Sequence, residues 1–266
     1  MTKIHPTAIV DKTAEIDPSV TVGPYAIIGA GVFINKNTTV GHHAWIESAR
    51  IGSDNSIYPY AVIGAAPQDL KHDGTKTEVQ IGNGCVVREF ATIHRATNPA
   101  APTRIGDNCF LMSVTHVGHD CRVGNNVIIA NGTQIAGHVE IADGVVMSAL
   151  VGIHQFVRIG RLVMIGGGAM VSQDIPPFVQ AQGDRAQLVG LNVVGLKRNR
   201  IKPESISEIK SAFRNIFISG IPMQEALDQI AAAEPVSEVR ELIEFIQKSK
   251  RGVCRARFKE ALSEDE

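Results

Sequence analysis

The run IGDNCF LMSVTH VGHDCR VGNNVI IANGTQ IAGHVE IADGVV, residues 105–146, decides the fold of this chain. It divides into units of six residues, each opened by an aliphatic residue and each with a small residue at its fifth position. The frame recurs in 25 units between residues 4 and 176, and its first position is Ile or Val in 23 of them. A period of six matches neither the roughly 3.6 residues of a helical turn nor the two-residue alternation of a strand. It therefore predicts a short strand and a turn, repeated.

The aliphatic composition agrees with this interpretation. The chain contains 30 Ile and 27 Val but only 10 Leu, and aromatic residues make up 5% of it. β-Branched side chains lose rotamer freedom in a helix and suit a pleated strand, so a mostly helical protein is excluded. Ile and Val are concentrated before residue 180, and Leu becomes more frequent after it. We therefore divide the chain into a hexapeptide-repeat domain, residues 1–190, and a C-terminal α-helical domain, residues 191–266.

Three units are expected to close one coil of a triangular prism, with the first residue of each unit pointing inward. The predicted fold class is mainly β: a parallel β-helix of hexapeptide repeats followed by a small C-terminal α-helical domain. Two segments, at about residues 67–80 and 97–104, do not keep the frame. Insertions into a solenoid project outward, and projecting loops often carry function. The first of these loops is the better candidate for a functional loop, because four polar residues cluster there: Gln68, Asp69, Lys71 and His72.

Charge and hydropathy exclude several classes of protein. The 266 residues carry a net charge of -1, which argues against a general nucleic-acid binder. No run of about 18 apolar residues is present, so no membrane span is expected, and the N-terminal residues lack the pattern of a secretory signal. Cys85, Cys109 and Cys121 all fall at the small fifth position, and Cys254 is the fourth cysteine. This pattern predicts packing residues in a reducing cytoplasm, and neither a disulfide framework nor a metal site.

Five histidines recur at distances close to one predicted coil. We expect them to line one side of the prism as a groove: His94, His116, His119, His138 and His154. His119 is followed directly by Asp120. An imidazole takes a proton from a hydroxyl near neutral pH, and a carboxylate fixes its tautomer. Because neighbouring strand residues point to opposite faces, this contact requires His119 and Asp120 to lie at a corner.

Several longer motifs resemble those of a known family. They are VGHDCRVGNNVIIANGTQIAGHVEI, IHQFVRIG, QDIPPFVQAQGD and GLNVVGLKRNRI, with AAPQDLKHDG and TIHRAT upstream. They are similar to the hexapeptide-repeat acyltransferases that use acyl carrier protein and UDP-N-acetylglucosamine and open lipid A synthesis, and the resemblance covers essentially the whole chain. It implies a left-handed β-helix and a homotrimer with clefts between neighbours. It also implies that a 3-hydroxyacyl chain passes from the phosphopantetheine thioester of the carrier protein to the 3-position of the sugar, with no metal or other cofactor.

The resemblance implies roles for individual residues. His119 would be the general base, held by Asp120, and the backbone N–H of Gly137 would bind the oxyanion. The residues implied to contact the sugar nucleotide or the pantetheine arm are Asp69, His94, His116, His138, His154, Gln155, Asn192 and Arg198. Gly167 matches the position that limits acyl-chain length, where a glycine leaves the groove open for a longer chain.

A basic run follows the last predicted helix, which spans residues 235–250. Residues 248–259 contain six basic and no acidic side chains: Lys248, Lys250, Arg251, Arg255, Arg257 and Lys259. Such a run is usually a solvated surface. Since the implied partner is an acidic carrier protein, we interpret it as a docking surface.

Several alternatives stay open at this point. Val194, Arg185 and Gly118 depart from the usual family pattern of Glu, His and Ala, which leaves the fine substrate specificity open. Some members of the family acylate a 3-amino group in place of the 3-hydroxyl, and this acceptor is an alternative here. A γ-type zinc carbonic anhydrase has the same fold and holds its metal with three histidines, which the histidine groove permits. A sister acyltransferase would carry an additional N-terminal domain, whereas the repeat here begins at Ile4. A scaffold without activity is the remaining alternative, and it predicts that His119→Ala changes nothing.

Overall fold

The computed structural model describes residues 3–257 of the chain. Very short strands follow one another at a spacing of about six residues, and helices come only after them. In chain order the strands are β1 (Lys3–Ile4), β2 (Ile9–Val10), β3 (Glu15–Ile16), β4 (Thr21–Val22), β5 (Ile27–Ile28), β6 (Phe33–Ile34), β7 (Thr39–Val40), β8 (Trp45–Ile46), β9 (Ala49–Ile51), β10 (Ser56–Ile57), β11 (Val62–Ala65), β12 (Val79–Ile81), β13 (Val86–Val87), β14 (Thr92–His94), β15 (Thr103–Ile105), β16 (Phe110–Leu111), β17 (His116–Val117), β18 (Arg122–Val123), β19 (Ile128–Ile129), β20 (Gln134–Ile135), β21 (Glu140–Ile141), β22 (Val146–Met147), β23 (Gly152–Ile153), β24 (Arg158–Ile159), β25 (Met164–Ile165), β26 (Met170–Val171), β27 (Val179–Gln182) and β28 (Gln187–Leu191). The helices are α1 (Val193–Arg198), α2 (Pro203–Phe217), α3 (Met223–Ala232) and α4 (Ser237–Gln247).

From β1 to β26 successive strands rotate through three sheets, so paired strands are three apart in chain order. Sheet A contains β1, β4, β7, β10, β13, β16, β19, β22, β25, β27 and β28. Sheet B contains β2, β5, β8, β11, β14, β17, β20, β23 and β26. Sheet C contains β3, β6, β9, β12, β15, β18, β21 and β24. The fold is a left-handed parallel β-helix, which confirms the predicted fold class.

The repeat frame places the predicted residues in the interior. Ile105, Leu111 and Val117 open three consecutive units, lie on sheets C, A and B, and are buried together in the core of one coil. The residues before them in each strand, such as Phe110 and His116, face outward and are only partly buried. Stacking coils in register thus removes a column of aliphatic side chains from water on all three sides of the prism.

Position five has a polar function that the repeat pattern did not predict. Thr38 and Thr133 each donate a hydrogen bond of 3.0 Å from Oγ1 to a position-two carbonyl of the next coil. Cysteine thiols at position five make the same contact, and for Cys109 the distance from Sγ to the Gly124 carbonyl is 3.1 Å. Small polar side chains therefore satisfy carbonyl groups that point toward the interior of a corner.

Residues with positive φ turn the chain at the corners. Asp120, His138 and Phe156 have φ values of 59°, 59° and 66°, and they occupy equivalent places on three consecutive coils between sheets B and C. The two irregular segments leave the β-helix at this same edge, between β11 and β12 and between β14 and β15. Both insertions therefore project beside the corner that carries Asp120.

The strand ladder continues beyond the last unit of the repeat. Pro177 lies in a turn, so its missing N–H does not interrupt pairing, and β27 still pairs in parallel with β25. β28 then folds back on β27 as an antiparallel strand. The sequence pattern did not predict this hairpin, because it does not follow the six-residue frame.

The helices pack at this end of the β-helix. A second hydrophobic core contains residues of all four helices together with Leu162 and Phe178 of the β-helix. The last helix ends at Gln247, earlier than the predicted residue 250, and the chain then returns to the β-helix. Val253 bridges to Asp174, and Ala256 bridges to Leu188. No helix within residues 3–257 is long and apolar enough to cross a membrane.

Candidate active site

A cleft of 590 Å³ runs along the outer face of sheet B. Its polar lining residues are Gln68, His94, His116, His119, Gln134, His154, Gln155, Ser172, Asp184 and Arg185. Four of the five histidines expected to form a groove therefore share one cleft. The fifth, His138, lies at the adjacent corner, where its ring contacts that of His119 edge-on at 5.1 Å.

His119 and Asp120 lie at the corner that follows β17, as their contact requires. The left-handed conformation of Asp120 turns its side chain back, and its Oδ2 lies 2.7 Å from His119 Nδ1. An ionised carboxylate only accepts hydrogen bonds, so Nδ1 carries the hydrogen and Nε2 carries the free lone pair. His119 is 4% exposed, which excludes most water from the pair.

The second irregular segment holds Asp120 in place. Thr97 donates to the carboxylate from its backbone N–H at 3.0 and 3.1 Å and from its hydroxyl at 2.8 Å. The backbone N–H of Asp120 donates to Thr103 Oγ1 at 2.8 Å. Burial alone would raise the pKa of Asp120, but the hydrogen bonds from His119 and Thr97 outweigh it and lower that pKa. Asp120 is therefore an anion with a fixed orientation.

Gly137 lies against the imidazole of His119. A Cβ atom on this residue would stand 2.6 Å from His119 Nε2, so only glycine fits beside the ring. Within residues 3–257 the backbone N–H of Gly137 donates to no acceptor, and Gly137 lines the cleft. A proton acceptor and an unpaired backbone donor are thus adjacent.

His138 is held between two neighbours. Phe156, one coil further on, stacks on its ring at 4.7 Å with an interplanar angle of 13°. On the other side, His138 Nε2 lies 3.6 Å from Asp120 Oδ2. The stacking fixes the plane of the ring and keeps Nε2 beside the carboxylate.

His94, which is buried, and His116, which is half-buried, lie side by side in the cleft wall. Their rings meet edge-on at 5.0 Å, and His116 Nδ1 lies 2.8 Å from Thr92 Oγ1. Burial lowers the pKa of both groups, and for His116 it falls to about 4. Both imidazoles are therefore neutral at pH 7 and present hydrogen-bonding groups without charge.

Other residues singled out in the sequence lie outside the cleft of a single chain. Asp69 caps its own loop by accepting from the Lys71 N–H at 2.9 Å, while the preceding Gln68 lines the cleft. Asn192 is the N-cap of α1: its Oδ1 accepts from the Gly195 N–H at 3.0 Å and its Nδ2 donates to the Leu162 carbonyl at 2.8 Å. Arg198 lies in the last turn of α1, and Gly167 lies at the corner between sheets A and B.

The basic run lies in an extended segment, not on a helix face. Lys248 pairs with Glu244 at 3.1 Å at the end of α4. Arg251 donates from Nε to the carbonyl of Ser172, which lines the cleft, at 3.1 Å. Arg255 and Arg257 make backbone bonds to Leu188, Lys250 is exposed between them and α4, and Lys259 lies outside the described residues.

Sequence reasoning missed several residues around the site. Thr97 belongs to an irregular segment, and no period indicates where its hydroxyl points. Met170 lines the cleft and would block a Cβ on Gly152, with its Sδ only 2.6 Å away. Phe156 follows the His154–Gln155 pair, and its 18-residue distance from His138 was the available signal. Arg185 also lines the cleft, and its departure from the family pattern does not indicate this position.

One cluster has the donor groups of a metal site. The donor atoms of His119, Asp120 and His138 all lie within 4.8 Å of one another. Two imidazoles and a carboxylate are a donor set that zinc accepts. A carbonic anhydrase of the predicted kind would use three histidines, whereas here Asp120 is the third group and is hydrogen-bonded to His119.

Comparison with protein families gives a consistent result. A family described as UDP-N-acetylglucosamine O-acyltransferase, domain 2, matches residues 174–254. The bacterial transferase hexapeptide family matches residues 102–137, and the GMPPB C-terminal domain family matches residues 1–67.

Individual relatives match over nearly the whole chain. The acyl-[acyl-carrier-protein]–UDP-N-acetylglucosamine O-acyltransferase of Thermodesulfovibrio yellowstonii is 46% identical over 96% of this chain and 100% of its own. The protein of the same name from Burkholderia lata is 47% identical over 96% and 100%. The solved structure of the UDP-N-acetylglucosamine O-acyltransferase from Moraxella catarrhalis superposes with a TM-score of 0.91 at 39% identity, over 95% of this chain and 100% of that one.

The half-buried histidine His116 should make stability depend on pH. Its pKa is lowered from 6.5 to about 4 in the folded chain, so above pH 6.5 the imidazole is neutral in both the folded and the unfolded chain. As the pH falls from 6.5 toward 4, the unfolded chain takes up a proton that the folded chain does not, and this favours unfolding. His116→Gln should therefore lose less thermal stability than the wild type between these pH values, as measured by melting temperature. His154→Gln, which removes an exposed imidazole from the same cleft, is the control. Equal losses in the wild type and His116→Gln would contradict this assignment.

Proposed function

The chain belongs to the family of acyl-[acyl-carrier-protein]–UDP-N-acetylglucosamine O-acyltransferases and is an acyltransferase, and from this premise we propose its reaction and site. The acyl donor is the thioester of acyl carrier protein, the acceptor is the 3-hydroxyl of UDP-N-acetylglucosamine, and the transferred group is a 3-hydroxyacyl chain. The product enters lipid A biosynthesis as its first intermediate. The family assignment displaces the carbonic anhydrase and scaffold alternatives.

One observation carries the proposed mechanism: the free Nε2 of His119 and the unpaired N–H of Gly137 lie side by side in the cleft. The geometry suits a hydroxyl that attacks a carbonyl carbon directly. Nε2 takes the hydroxyl proton while the new C–O bond forms. The carbonyl oxygen becomes an oxyanion that accepts a hydrogen bond from the Gly137 N–H. Asp120 stabilises the imidazolium, which lies 2.7 Å from its carboxylate.

The second half of the reaction uses the same groups. The tetrahedral intermediate collapses, the C–S bond breaks, and the thiol leaves with the proton that His119 holds. A thioester is already activated, so neither a covalent enzyme intermediate nor a metal is included in the proposal. The acyl chain arrives on the phosphopantetheine arm of the carrier protein, and the proposal includes no other cofactor.

The acceptor lies along the histidines of sheet B in this proposal. His94, His116 and His138 present ring nitrogens to the sugar hydroxyls or the pantetheine amides. His154 and Gln155, at the far side of the cleft, face the nucleotide. Gln68 lines the cleft beside Asp69, so this loop also contacts the sugar. Arg185, one of the departures from the family pattern, also lines the cleft. A 3-amino acceptor is the second candidate.

A homotrimer explains why Asn192 and Arg198 are absent from the cleft of one chain. A column of outward apolar side chains crosses sheet A in register: Val86, Phe110, Ile128, Val146 and Met164. Monomeric proteins rarely expose such a continuous column. We propose that it packs against a neighbouring copy, which brings α1 of one subunit to the cleft of the next.

Docking of the carrier protein is assigned to the basic run at the end of the chain. Arg251 is bonded to Ser172 on the rim of the cleft, so a partner held by these cations delivers its arm close to His119. The docking cations are Lys248, Lys250, Arg251, Arg255, Arg257 and Lys259. The four cysteines are free thiols, which suits the cytoplasm, and cell fractionation tests that location.

His119→Ala should abolish acyl transfer. The assay combines UDP-N-acetylglucosamine, or its 3-amino analogue, with acyl carrier proteins that carry chains of increasing length. Loss of the base should lower kcat by at least about a hundredfold, while melting temperature and trimer mass stay near those of the wild type. Retention of wild-type kcat by His119→Ala would refute the mechanism, and a wild type inactive with both acceptors would refute the function.

Gly167→Met should shift the preferred acyl chain to a shorter one. A Cβ at this position has only the Ala149 carbonyl, at 3.3 Å, and the Ser148 side chain, at 3.8 Å, within 4 Å, so space remains where a chain could extend. A methionine fills that space. The ratio of kcat/KM for long and short donors measures the change, and Gly168→Ala controls for loss of a neighbouring glycine. An unchanged ratio would refute the role of Gly167.

The trimer should depend on the apolar column of sheet A. Sedimentation of the wild type should give three times the mass of one chain. Ile128→Glu places a charge in the centre of the column and should release monomers, whereas Gln229→Glu, on the exposed face of α3, should not. A wild type that sediments as a monomer would contradict the proposal.

The docking surface should make the KM for the carrier protein depend on salt. Charge attraction between an acidic protein and the basic run weakens as ionic strength rises. Lys250→Ser combined with Arg255→Ser should raise that KM severalfold and leave the KM for the sugar nucleotide unchanged. Lys210→Ser, an exposed cation of α2, is the control. A KM insensitive to both salt and the double substitution would argue against docking here.

A further inference from the structure

Cys121 is a buried thiol that the proposed reaction does not use. It follows Asp120 directly, is 0% exposed, and occupies the small fifth position of its unit. Packing alone explains a small residue here, since Val139 and Val157 occupy the same column on the next two coils. Its contact with the next coil is more specific than packing, because Cys121 Sγ lies 3.1 Å from the carbonyl oxygen of Ala136.

That carbonyl belongs to the peptide group that carries the N–H of Gly137. A peptide group is planar, so a bond that fixes the direction of its C=O also fixes the direction of its N–H. A hydrogen bond to the carbonyl oxygen also draws electrons from the nitrogen and makes the N–H a stronger donor. The thiol of Cys121 therefore acts on the donor that faces the cleft, from the side of the peptide that substrate does not reach.

The thiol keeps its hydrogen under working conditions. Burial raises the pKa of Cys121 to about 12, so the group remains an S–H donor at neutral pH. Within residues 3–257 this S–H is the one hydrogen-bond donor to the Ala136 carbonyl. The contact does not require the thiol to react or to bind metal.

We propose that Cys121 is a positioning residue for acyl transfer: its S–H donates to the Ala136 carbonyl and holds the Gly137 N–H toward the developing oxyanion. This inference rests on the proposed function of Gly137. It assigns to Cys121 an effect on the chemical step and none on substrate binding.

The β-helix contains its own control for this proposal. Cys109 is equally buried at a fifth position, its Sγ lies 3.1 Å from the Gly124 carbonyl, and Val127 and Val145 follow it in its column. Gly124 does not line the cleft that His119 faces. Cys109 Sγ also lies 3.6 Å from the Asp107 carbonyl. The two cysteines therefore make the same bond to the next coil, but only the peptide group bonded to Cys121 carries the proposed oxyanion donor.

The fifth position also indicates which substitutions preserve the bond. Thr133 makes it with a hydroxyl at 3.0 Å, and valine fills the position elsewhere without any donor. Cys121→Thr and Cys121→Val thus give two side chains of nearly equal shape, one with a donor and one without. Cys109→Thr and Cys109→Val form the matched pair outside the site.

The experiment measures kcat and KM for both substrates, the pH profile and the melting temperature of these four variants. Cys121→Val should lower kcat about fivefold, with both KM values and the pH profile unchanged, because His119 is untouched. Cys121→Thr should restore most of the wild-type kcat. Both Cys109 variants should keep the wild-type kcat, although Cys109→Val should lose about as much thermal stability as Cys121→Val.

Three results would overturn the inference: wild-type kcat in Cys121→Val, an equal loss of kcat in Cys109→Val, or a kcat in Cys121→Thr as low as in Cys121→Val. If Cys121→Val fails to fold, the comparison of Cys121→Thr with Cys121→Ala takes its place, with the same expected difference. A wild type without acyl transfer would refute the proposed function itself, which separates that failure from a failure of the assignment to Cys121.

Discussion

The parallel ladder of backbone hydrogen bonds between coils is the constraint on which the rest of the molecule depends. The N–H of His116 donates to the carbonyl of Thr133 at 2.9 Å, and that of Gln134 donates to Val151 at 2.8 Å, so each coil has 18 residues where the repeat is unbroken. A residue can be lost or a loop gained only at a corner, where no ladder bond is interrupted. Residues 46–50 (IESAR) form a unit of only five residues, and this unit accordingly turns at Ser48. Both long insertions leave from an edge.

The candidate active site is a consequence of that register. Residues 18 positions apart stand directly above one another, so Asp120, His138 and Phe156 form one column at the edge between sheets B and C. His119 and Gly137 precede the first two of these residues and are therefore brought together. The ladder thus sets the positions of His119, Asp120 and Gly137. The hydrogen bonds that hold the Asp120 carboxylate come instead from Thr97, in an insertion at the same edge. A rigid backbone thus orients His119 and Gly137, and the hydrogen bonds from a loop lower the pKa of Asp120.

Sequence reasoning succeeded where period determines structure. The six-residue frame predicted the three sheets and the buried first positions, and spacing near 18 predicted that the histidines share one side. It could not predict the hairpin of β27 and β28 or the helix α1, because these elements have no repeat. It also could not predict that Asn192 caps α1 or that Thr97 donates to Asp120. Such contacts do not follow the repeat, so no fixed spacing in the chain indicates them. The cysteines show the intermediate case: their positions followed from packing, but the bonds of their thiols to the next coil did not.

The return of the chain to the β-helix has a consequence for the order of folding during synthesis. Val253 pairs with Asp174, and Ala256 pairs with Leu188, although the segments that receive them leave the ribosome long before. Coils near the N-terminus can close one after another as translation proceeds. The final coil, by contrast, has an open edge until the helices and the last described residues have been made. The chain therefore completes the end of the β-helix nearest the cleft last. Until then the rim of the cleft is incomplete, so a nascent chain offers no finished surface there for a partner to recognise.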